Sequence, residues 1–242
     1  MSDAKKSNRK VPQGARVVIM AGGRGTRLRP YTTVLPKPLM PVGDRPILEH
    51  VLESLASAGF ERVTVSVGHL AELIQAFFGS GARWGLQIDY AIEDRPLHTM
   101  GALRFIENLG ENFLVMMGDV LTDLNLALLW EDHCNSGAAL TTAVSRREVQ
   151  TDFGVLEYEP DNHRIRKFEE KPILRYDVSM GIHMVNRRSL DFIPRGEPFG
   201  FDKLVLALLA AGETVRAFPH PGRWLDIGRH EDYEKANEEC AK

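Results

Sequence analysis

The chain has 242 residues, 43% of them hydrophobic and 26% charged, which suffices to bury one sizeable core and favours one α/β domain over two. A net charge of -3 disfavours a general nucleic-acid binder, and no apolar run is long enough to span a bilayer, so we expect neither nucleic acid nor membrane as a partner. Two cysteines, Cys134 and Cys240, argue against a disulfide framework and predict a reducing, cytoplasmic setting.

Residues 1–14 form a polar segment that lacks the apolar core of a signal peptide. Its cations are Lys5, Lys6, Arg9 and Lys10. This composition predicts a disordered, solvated tail, with the folded domain at 15–242.

The first predicted strand, at 17–21, is a short run rich in valine and isoleucine. It leads directly into Gly22, Gly23 and Gly25, and only glycine lets a backbone turn tightly and pass close to a ligand. Cations follow in the same loop, where backbone N–H groups can also face an anion; they are Arg24, Arg27, Arg29 and Lys37. On the glycines alone, a plain surface turn explains the pattern as well as a polyphosphate site does.

This loop matches neither of two better-known phosphate motifs and should not form a long helix. A Walker loop requires Gly-Lys before Ser or Thr, whereas Gly25 is followed by Thr26 and Arg27. A dinucleotide fingerprint requires a third glycine where Leu28 stands, which disfavours a dehydrogenase. Four prolines are expected to hold the segment extended: Pro30, Pro36, Pro38 and Pro41.

Strands and helices alternate along the next hundred or so residues. Apolar residues at helical spacing predict helices at 47–58 and 70–78, each followed by a glycine. Apolar or alternating runs predict strands at 63–67, 86–92 and 113–117. This alternation predicts a parallel sheet wrapped by helices, with ligands bound beyond the carboxyl ends of its strands.

The second half of the chain continues the pattern and adds a hairpin. Its predicted elements are a helix at 124–136, a strand at 138–144, hairpin strands at 153–158 and 165–168, a strand at 178–185, a helix at 201–211, a strand at 215–218 and a short helix at 231–239. The fold class is therefore predicted as a single α/β domain with a mixed, mostly parallel sheet flanked by helices and a β-hairpin insertion.

Two acids stand at the carboxyl ends of predicted strands, where such a sheet binds its ligand. Glu93 only accepts hydrogen bonds, which suits the N1–H and amine of guanine or the N3–H of uracil or thymine. Asp119 follows the strand at 113–117 and points into the same crevice. The ordinary alternatives are a surface-turn acid for Glu93 and a helix cap for Asp119.

The loop as a whole resembles the signature of the sugar-1-phosphate nucleotidylyltransferases. Three blocks match in the family's order: Gly22, Gly23, Gly25, Thr26, Arg27, Leu28 and Pro30; then Pro36, Lys37, Pro38 and Leu39; then Pro41 and Val42. Further motifs extend the resemblance over nearly all of residues 17–237. It implies a Rossmann-like fold and an enzyme that transfers a nucleotidyl group from a nucleoside triphosphate to a sugar-1-phosphate, releasing pyrophosphate. With a short helix ending the chain, we expect none of the β-helix domains that some members carry.

The resemblance implies a nucleotide-binding part at about 15–150, contacted through Ala21, Gly22, Gly23, Gly25, Thr26, Arg27, Lys37 and Gly118. As catalytic cations, Arg27 would hold the triphosphate and Lys37 would lie near its α- and β-phosphates. Asp119, together with Asp226 in a Trp-x-Asp-x-Gly turn, would bind Mg²⁺, the expected cofactor. The meeting of these two distant acids is the main long-range prediction.

A sugar-phosphate-binding part is implied at about 151–228, with the hairpin as its insertion. Lys171 would be the third catalytic cation and neutralise the sugar's phosphate, while Glu170 would accept hydrogen bonds from sugar hydroxyls. Gly154, Ser179 and Gly181 would border the sugar. From the residues alone, the acids and lysine at 169–171 are also typical of a charged edge strand.

The base loop of the family is matched by Glu93, Pro96, Leu97, Thr99 and Gly101, but His98 stands where the family has glycine. The resemblance favours GTP with mannose- or heptose-1-phosphate. UTP- or dTTP-dependent enzymes and a non-catalytic, nucleotide-sugar-binding regulator remain alternatives. The expected partners are small-molecule substrates, and a homo-oligomer is compatible with the sequence.

Overall fold

The computed structural model describes residues 9–240 and contains every element that the sequence predicted. The strands are β1 (Arg16–Met20), β2 (Pro41–Val42), β3 (Arg45–Pro46), β4 (Arg62–Val67), β5 (Gln87–Ile92), β6 (Asn112–Met117), β7 (Val120–Thr122), β8 (Leu140–Gln150), β9 (Val155–Tyr158), β10 (Ile165–Glu169), β11 (Ile173–Asn186), β12 (Val215–Pro219) and β13 (Trp224–Asp226). The α-helices are α1 (Ile47–Ala58), α2 (Ala71–Phe78), α3 (His98–Gly101), α4 (Leu126–Ser136), α5 (Phe201–Ala210) and α6 (His230–Cys240). The sequence did not predict the short elements β2, β3, α3, β7 and β13.

Seven strands form the central sheet, in the order β12–β8–β11–β6–β1–β4–β5. Pairing is parallel between β1 and both of its neighbours, between β4 and β5, and between β12 and β8. Only β11 runs the other way, antiparallel to β6 and β8. The predicted mixed, mostly parallel sheet flanked by helices is confirmed.

Both faces of the sheet are covered, as the apolar central strands require. In β1, Val17 and Ile19 belong to the core on one face, whereas Val18 and Met20 belong to the core on the other. Helices α1, α2 and α4 contribute to the first core, and α5 contributes to the second. The fully buried β1 thus places the loop after Met20 at the carboxyl edge of the sheet.

Helix ends follow the local sequence closely. Helix α1 ends at Gly59, whose φ of 95° is the left-handed conformation that glycine adopts readily. Helix α4 begins two residues later than predicted because Asn125 caps it, accepting a hydrogen bond from Leu128 N–H at 3.1 Å.

Two local predictions are wrong. The proline-rich segment is not extended but contains three short 3₁₀ turns, Thr26–Leu28, Tyr31–Thr33 and Lys37–Leu39, because the φ that proline imposes fits such turns as well. The predicted disordered tail at 1–14 is too long: Val11 is 6% exposed, and its N–H donates to the Ala58 carbonyl at 3.0 Å. Residues 1–8 of that tail lie outside the described residues.

The predicted hairpin is present as β9 and β10, at the tip of a larger projection. Strands β8 and β11 stay paired beyond the sheet as far as Gln150 and Ile173. We call residues 145–178 the arm. The sequence predicted β8 and β11 too short because the arm is exposed on both faces and lacks the apolar alternation of a core strand.

No helix among residues 9–240 has the length and apolar character that crossing a membrane would require.

Candidate active site

A cavity of about 230 Å³ opens where the carboxyl ends of β1 and β6 meet the glycine-rich loop. Its lining includes seven residues predicted to contact the nucleotide or metal: Ala21, Gly23, Gly25, Thr26, Arg27, Lys37 and Asp119. Gly118, an eighth predicted residue, also lines it, although its N–H already donates to the Met20 carbonyl at 3.0 Å. We call this space the phosphate cavity.

The loop presents its backbone to the phosphate cavity. Gly25 has a φ of 61°, and a Cβ at this position would lie 2.8 Å from the Thr32 methyl group, so only glycine fits without displacement. Thr32 holds the turn by donating to the Gly25 carbonyl at 2.8 Å. Among residues 9–240, the N–H groups of Gly23, Arg24 and Gly25 donate no hydrogen bond. Such free N–H groups are suited to an anion.

Asp119 and Asp226 lie at the same place, as the sequence predicted. Strand β13 pairs with β7 so that Asp226 is opposite Val120, and the Ile227 N–H donates to the Asp119 carbonyl at 3.1 Å. Burial raises the pKa of Asp226, and the Asp119 carboxylate raises it further. Two acids from opposite halves of the sequence therefore share one low-dielectric position.

Two cations offset this negative charge. The Lys37 ammonium forms an ion pair with Asp119, and the two side chains are only 12% and 16% exposed. Arg27 lies against the turn that follows β13, where a Cβ at Gly228 would be 3.3 Å from its Nη2. Lys37 and Arg27 both act to lower the pKa of Asp226, although burial and Asp119 outweigh them.

The donor set around the two acids fits a hard divalent cation. Asp119 Oδ1 is buried and has no hydrogen-bond partner within the described part of the chain. Mg²⁺ is commonly held by one or two carboxylates together with substrate phosphates, so two acids beside a phosphate cavity are a suitable set. No cluster of three or more His, Cys, Asp or Glu side chains that could hold a metal occurs among residues 9–240.

A second cavity, of about 210 Å³, adjoins the first. It is lined by Met20, Gly22, Gly23, Glu93, Pro96, His98, Thr99 and Met117. Since Met20, Gly23 and Met117 line both, the two cavities are contiguous. We call the second the base cavity; it contains the predicted base-contacting residues Glu93, Pro96 and Thr99.

Internal hydrogen bonds fix the Glu93 side chain. Its Oε1 accepts from Ser66 Oγ at 2.7 Å, and its Oε2 accepts from Leu97 N–H at 3.1 Å. A Cβ at Gly22 would lie 2.8 Å from Oε1, so glycine is needed for the loop to pass this carboxylate. Each oxygen retains a further lone pair, and the fixed carboxylate can therefore still accept from a base.

Two neighbours of Glu93 have constrained backbones or side chains. His98 has a φ of 59°, in the left-handed region that glycine adopts more readily. The Thr99 hydroxyl accepts from Phe201 N–H at 3.1 Å and so fixes the start of α5. Thr99 thus has a structural contact as well as a place in the base cavity.

The predicted sugar-bordering residues fall into two groups. Gly181, with a φ of 73°, lies against Met117, which lines both cavities; a Cβ there would be 2.8 Å from Met117 Cγ. Ser179 lies beside it, 3.3 Å from the Gly181 nitrogen and 3.3 Å from Thr142 Oγ1. Gly181 and Ser179 are therefore adjacent to the phosphate cavity and the base cavity.

The second group is on the arm. A Cβ at Gly154 would lie 2.6 Å from the Phe168 ring and 3.1 Å from Glu170 Oε2, so these residues adjoin one another. Lys171 is exposed, with a φ of 47°. No hydrogen bond or ion pair within the described residues joins Gly154, Glu170 or Lys171 to the two acids.

Sequence reasoning missed two features of the site. Met117 ends β6 between the two cavities, and only its place before the Gly-Asp pair could have indicated this. The Arg147 guanidinium lies 4.5 Å from the centroid of the Trp224 ring, two residues before Asp226. No motif includes Arg147, so the sequence carried no signal for it.

Known proteins show the same combination of fold and sequence. A model of the nucleotidyl transferase family matches residues 16–242. A UTP–glucose-1-phosphate uridylyltransferase from Synechocystis sp. is 33% identical over 91% of this chain and 62% of its own length. A mannose-1-phosphate guanylyltransferase from Mycobacterium tuberculosis is 31% identical over 93% of this chain and 64% of its own. The chain thus spans less than two thirds of the length of these curated relatives.

Solved structures match along nearly their whole length. HddC from Yersinia pseudotuberculosis has a TM-score of 0.72 and 26% identity, covering 93% of this chain and 99% of that one. A second structure of HddC, complexed with GMP-PN, has a TM-score of 0.71. The fold, the ordered sequence blocks and the family match agree, and the chain therefore belongs to the nucleotidyl transferase family.

Proposed function

We propose that this chain catalyses Mg²⁺-dependent transfer of a nucleotidyl group from a nucleoside triphosphate to a sugar-1-phosphate, giving a nucleotide-sugar and pyrophosphate. The observation that carries the proposal is the convergence of Asp119, Asp226, Lys37 and Arg27 at one glycine-lined cavity. Two partly buried acids and two cations at the same place suit a reaction between anions.

The obstacle in this reaction is charge repulsion, because one phosphate must attack another. An oxygen of the sugar's phosphate forms a bond to the α-phosphorus, and the bond from that phosphorus to the oxygen bridging the α- and β-phosphates breaks, releasing pyrophosphate. The attacking phosphate is already ionised near neutral pH, so no protein base is required. Catalysis then consists of placing the reactants in line and neutralising their charge.

On the triphosphate side, the described residues can both position the reactant and neutralise its charge. The free N–H groups at residues 23–25 and the Arg27 guanidinium would bind the triphosphate and the departing pyrophosphate. Lys37, held beside Asp119, would neutralise the α- and β-phosphates. Asp119 and Asp226 would hold Mg²⁺, which when bound stabilises charge on the reacting phosphate and orients it.

On the acceptor side, Lys171 would neutralise the sugar's phosphate, and Glu170 would bind sugar hydroxyls. Gly181 and Ser179, beside the cavities, would border the sugar ring. The arm would bring Gly154, Glu170 and Lys171 to the acceptor when it binds.

Guanine is the proposed base, with mannose- or heptose-1-phosphate as the acceptor. The fixed Glu93 carboxylate in the base cavity supports guanine, since two N–H donors on one edge of that base match its remaining acceptor positions. Relatives named mannose-1-phosphate guanylyltransferase and the HddC complex with GMP-PN point the same way. The Synechocystis uridylyltransferase, at 33% identity, keeps UTP as the second candidate.

The test is release of pyrophosphate from each pairing of GTP, UTP, dTTP and CTP with mannose-, heptose- and glucose-1-phosphate, with and without Mg²⁺. We expect turnover only with Mg²⁺ and the highest kcat/KM with GTP and mannose- or heptose-1-phosphate. Nucleotide-sugar binding without turnover in any pairing would contradict the enzyme and support a regulatory homologue.

A further inference from the structure

Two adjacent arginines at the base of the arm face opposite ways. In the antiparallel β8–β11 pair, Arg146 is opposite Asp177 and Arg147 is opposite Tyr176. Residues directly opposite each other share a face, and successive residues alternate between faces. The Arg146 Nε and Nη2 donate to Asp177 at 3.0 and 3.2 Å. Arg147 therefore projects from the other face of the arm.

Arg147 lies over Trp224 instead of pairing with an acid. Its Cζ is 4.5 Å from the ring centroid, and the ring is fixed because Trp224 Nε1–H donates to the Met180 carbonyl at 3.1 Å. Stacking uses the flat face of a guanidinium and leaves its in-plane N–H donors available. No ion pair joins Arg147 to a carboxylate among residues 9–240.

Strand β13 relates this guanidinium to the two acids. Trp224 and Asp226 project from the same face of β13, because side chains alternate along a strand, and Leu225 between them is buried on the other face. Just past the other end of the strand, Arg27 lies against Gly228. Along β13, Asp226 thus lies between the end that contacts Arg147, toward the arm, and the end that contacts Arg27, toward the glycine-rich loop.

We propose that Arg147 is a substrate-binding residue that holds the phosphate of the sugar-1-phosphate, an inference that rests on the proposed function. In-line transfer requires the entering and departing oxygens to lie on opposite sides of the α-phosphorus. Arg27 is on the side assigned to the triphosphate, so Arg147, across Asp226, is on the side from which the acceptor enters. The planar fork of a guanidinium can give two parallel N–H···O bonds to one phosphate.

Steady-state kinetics of matched variants tests this assignment. Arg147→Gln removes the charge, Arg147→Lys keeps the charge without the planar fork, and Arg146→Gln is the control on the opposite face of the same strand. With the substrate pair selected by the panel, we expect R147Q to raise the KM for the sugar-1-phosphate between about tenfold and a hundredfold, the range for losing charged hydrogen bonds. The KM for the nucleoside triphosphate should stay unchanged, R147K should be intermediate, and R146Q should match wild type.

A binding measurement provides a readout that does not depend on turnover. Titration with mannose-1-phosphate, and separately with inorganic phosphate, should change the intrinsic fluorescence of the wild-type chain saturably, because Arg147 stacks on Trp224. The change should be absent in R147Q and retained in R146Q. Trp224→Phe identifies the responding ring, and equal thermal unfolding midpoints show that the variants are folded.

A raised KM for the nucleoside triphosphate in place of the sugar-1-phosphate, or equal effects of R147Q and R146Q, would overturn the assignment of Arg147. A wild-type chain that turns over no substrate pair would contradict the proposed function. The fluorescence titration would then still decide for or against an anion site at Arg147, since equal responses of wild type and R147Q would overturn it.

Discussion

The phosphate cavity and the arm hold their charges in different ways. In the cavity, Lys37 is paired with Asp119 and both are largely buried, so the charges are placed before a ligand binds. On the arm, Lys171 is exposed and the Arg147 guanidinium stacks on the Trp224 ring, and neither cation forms an ion pair within residues 9–240. The arm also exposes apolar side chains, including Phe168 at 61% and Tyr176 at 52%. We infer that the nucleotide side of the proposed reaction is preorganised, whereas the arm presents its cations and apolar side chains to solvent.

The largest effect should come from the preorganised side. Asp119→Asn should lower turnover by at least about a hundredfold, the scale for losing electrostatic stabilisation of a transition state. Pyrophosphate release measures it, and binding of the nucleoside triphosphate without metal should persist. Asp123→Asn is the matched control, because Asp123 is a nearby acid paired with His220 outside the cavity. Near-normal turnover in D119N would remove Asp119 from the proposed chemistry.

The arm should respond through the acceptor alone. Lys171→Ala should lower kcat/KM for the sugar-1-phosphate between about tenfold and a hundredfold, since a charged contact to phosphate is lost. The KM for the nucleoside triphosphate should not change. Lys167→Ala is the control, because Lys167 already pairs with Glu169 at 3.2 Å. If K167A and K171A lower kcat/KM for the sugar-1-phosphate by the same factor, Lys171 does not bind the acceptor and both lysines have only a structural role.

The sequence predicted the surroundings of the phosphate cavity more accurately than it predicted the arm. The buried strands and the helices around the nucleotide side were predicted closely, because a covered sheet imposes apolar patterns on β1, β4 and β6. The meeting of Asp119 and Asp226 was also predicted, but only through the family resemblance, since β13 is too short to show a pattern.

The arm was predicted less well for a physical reason. Its strands are exposed on both faces, so no core dictates their length, and β8 extends six residues beyond the predicted 138–144. The stack of Arg147 on Trp224 joins two elements far apart in sequence and belongs to no local motif. The 3₁₀ turns of the loop were missed because proline is compatible with both conformations.

A smaller effect should separate base recognition from phosphate chemistry on the preorganised side. Glu93→Gln should lower kcat/KM for GTP about tenfold, because the amide replaces one acceptor with a donor facing the two N–H groups of guanine. The loss with UTP should be smaller, since uracil presents a single N–H. Ser66→Ala, which removes the hydrogen bond to Glu93 Oε1 but keeps the charge, is the control. Equal losses for all triphosphates in E93Q would place Glu93 outside base recognition.

The smallest effect on activity should come from His133, a buried histidine of α4 that contacts the central sheet. Its effect on stability should be measurable. Burial lowers the pKa of His133 to about 4 in the folded chain, against about 6.5 when unfolded. The unfolded chain therefore binds the proton first, and the stability is present above pH 6.5 and lost as pH falls toward 4. We expect His133 to lower the free energy of unfolding by about 2 kcal/mol between pH 7 and pH 5.

Urea unfolding at the two pH values measures this loss, and His133→Gln should reduce it. Some dependence should remain in that variant, because burial lowers the pKa of His183 to about 3 and has the same sign. An identical pH dependence in wild type and H133Q would show that the stability of the sheet does not depend on a neutral His133.

The most direct test of the central claim is to locate the metal. Crystals grown with Mn²⁺, which shares the preference of Mg²⁺ for oxygen ligands, and a non-hydrolysable GTP analogue would reveal the ion by anomalous scattering. We expect a peak in contact with the carboxylates of both Asp119 and Asp226, beside the phosphates of the nucleotide. A bound nucleotide whose metal contacts neither acid would contradict the proposed metal site.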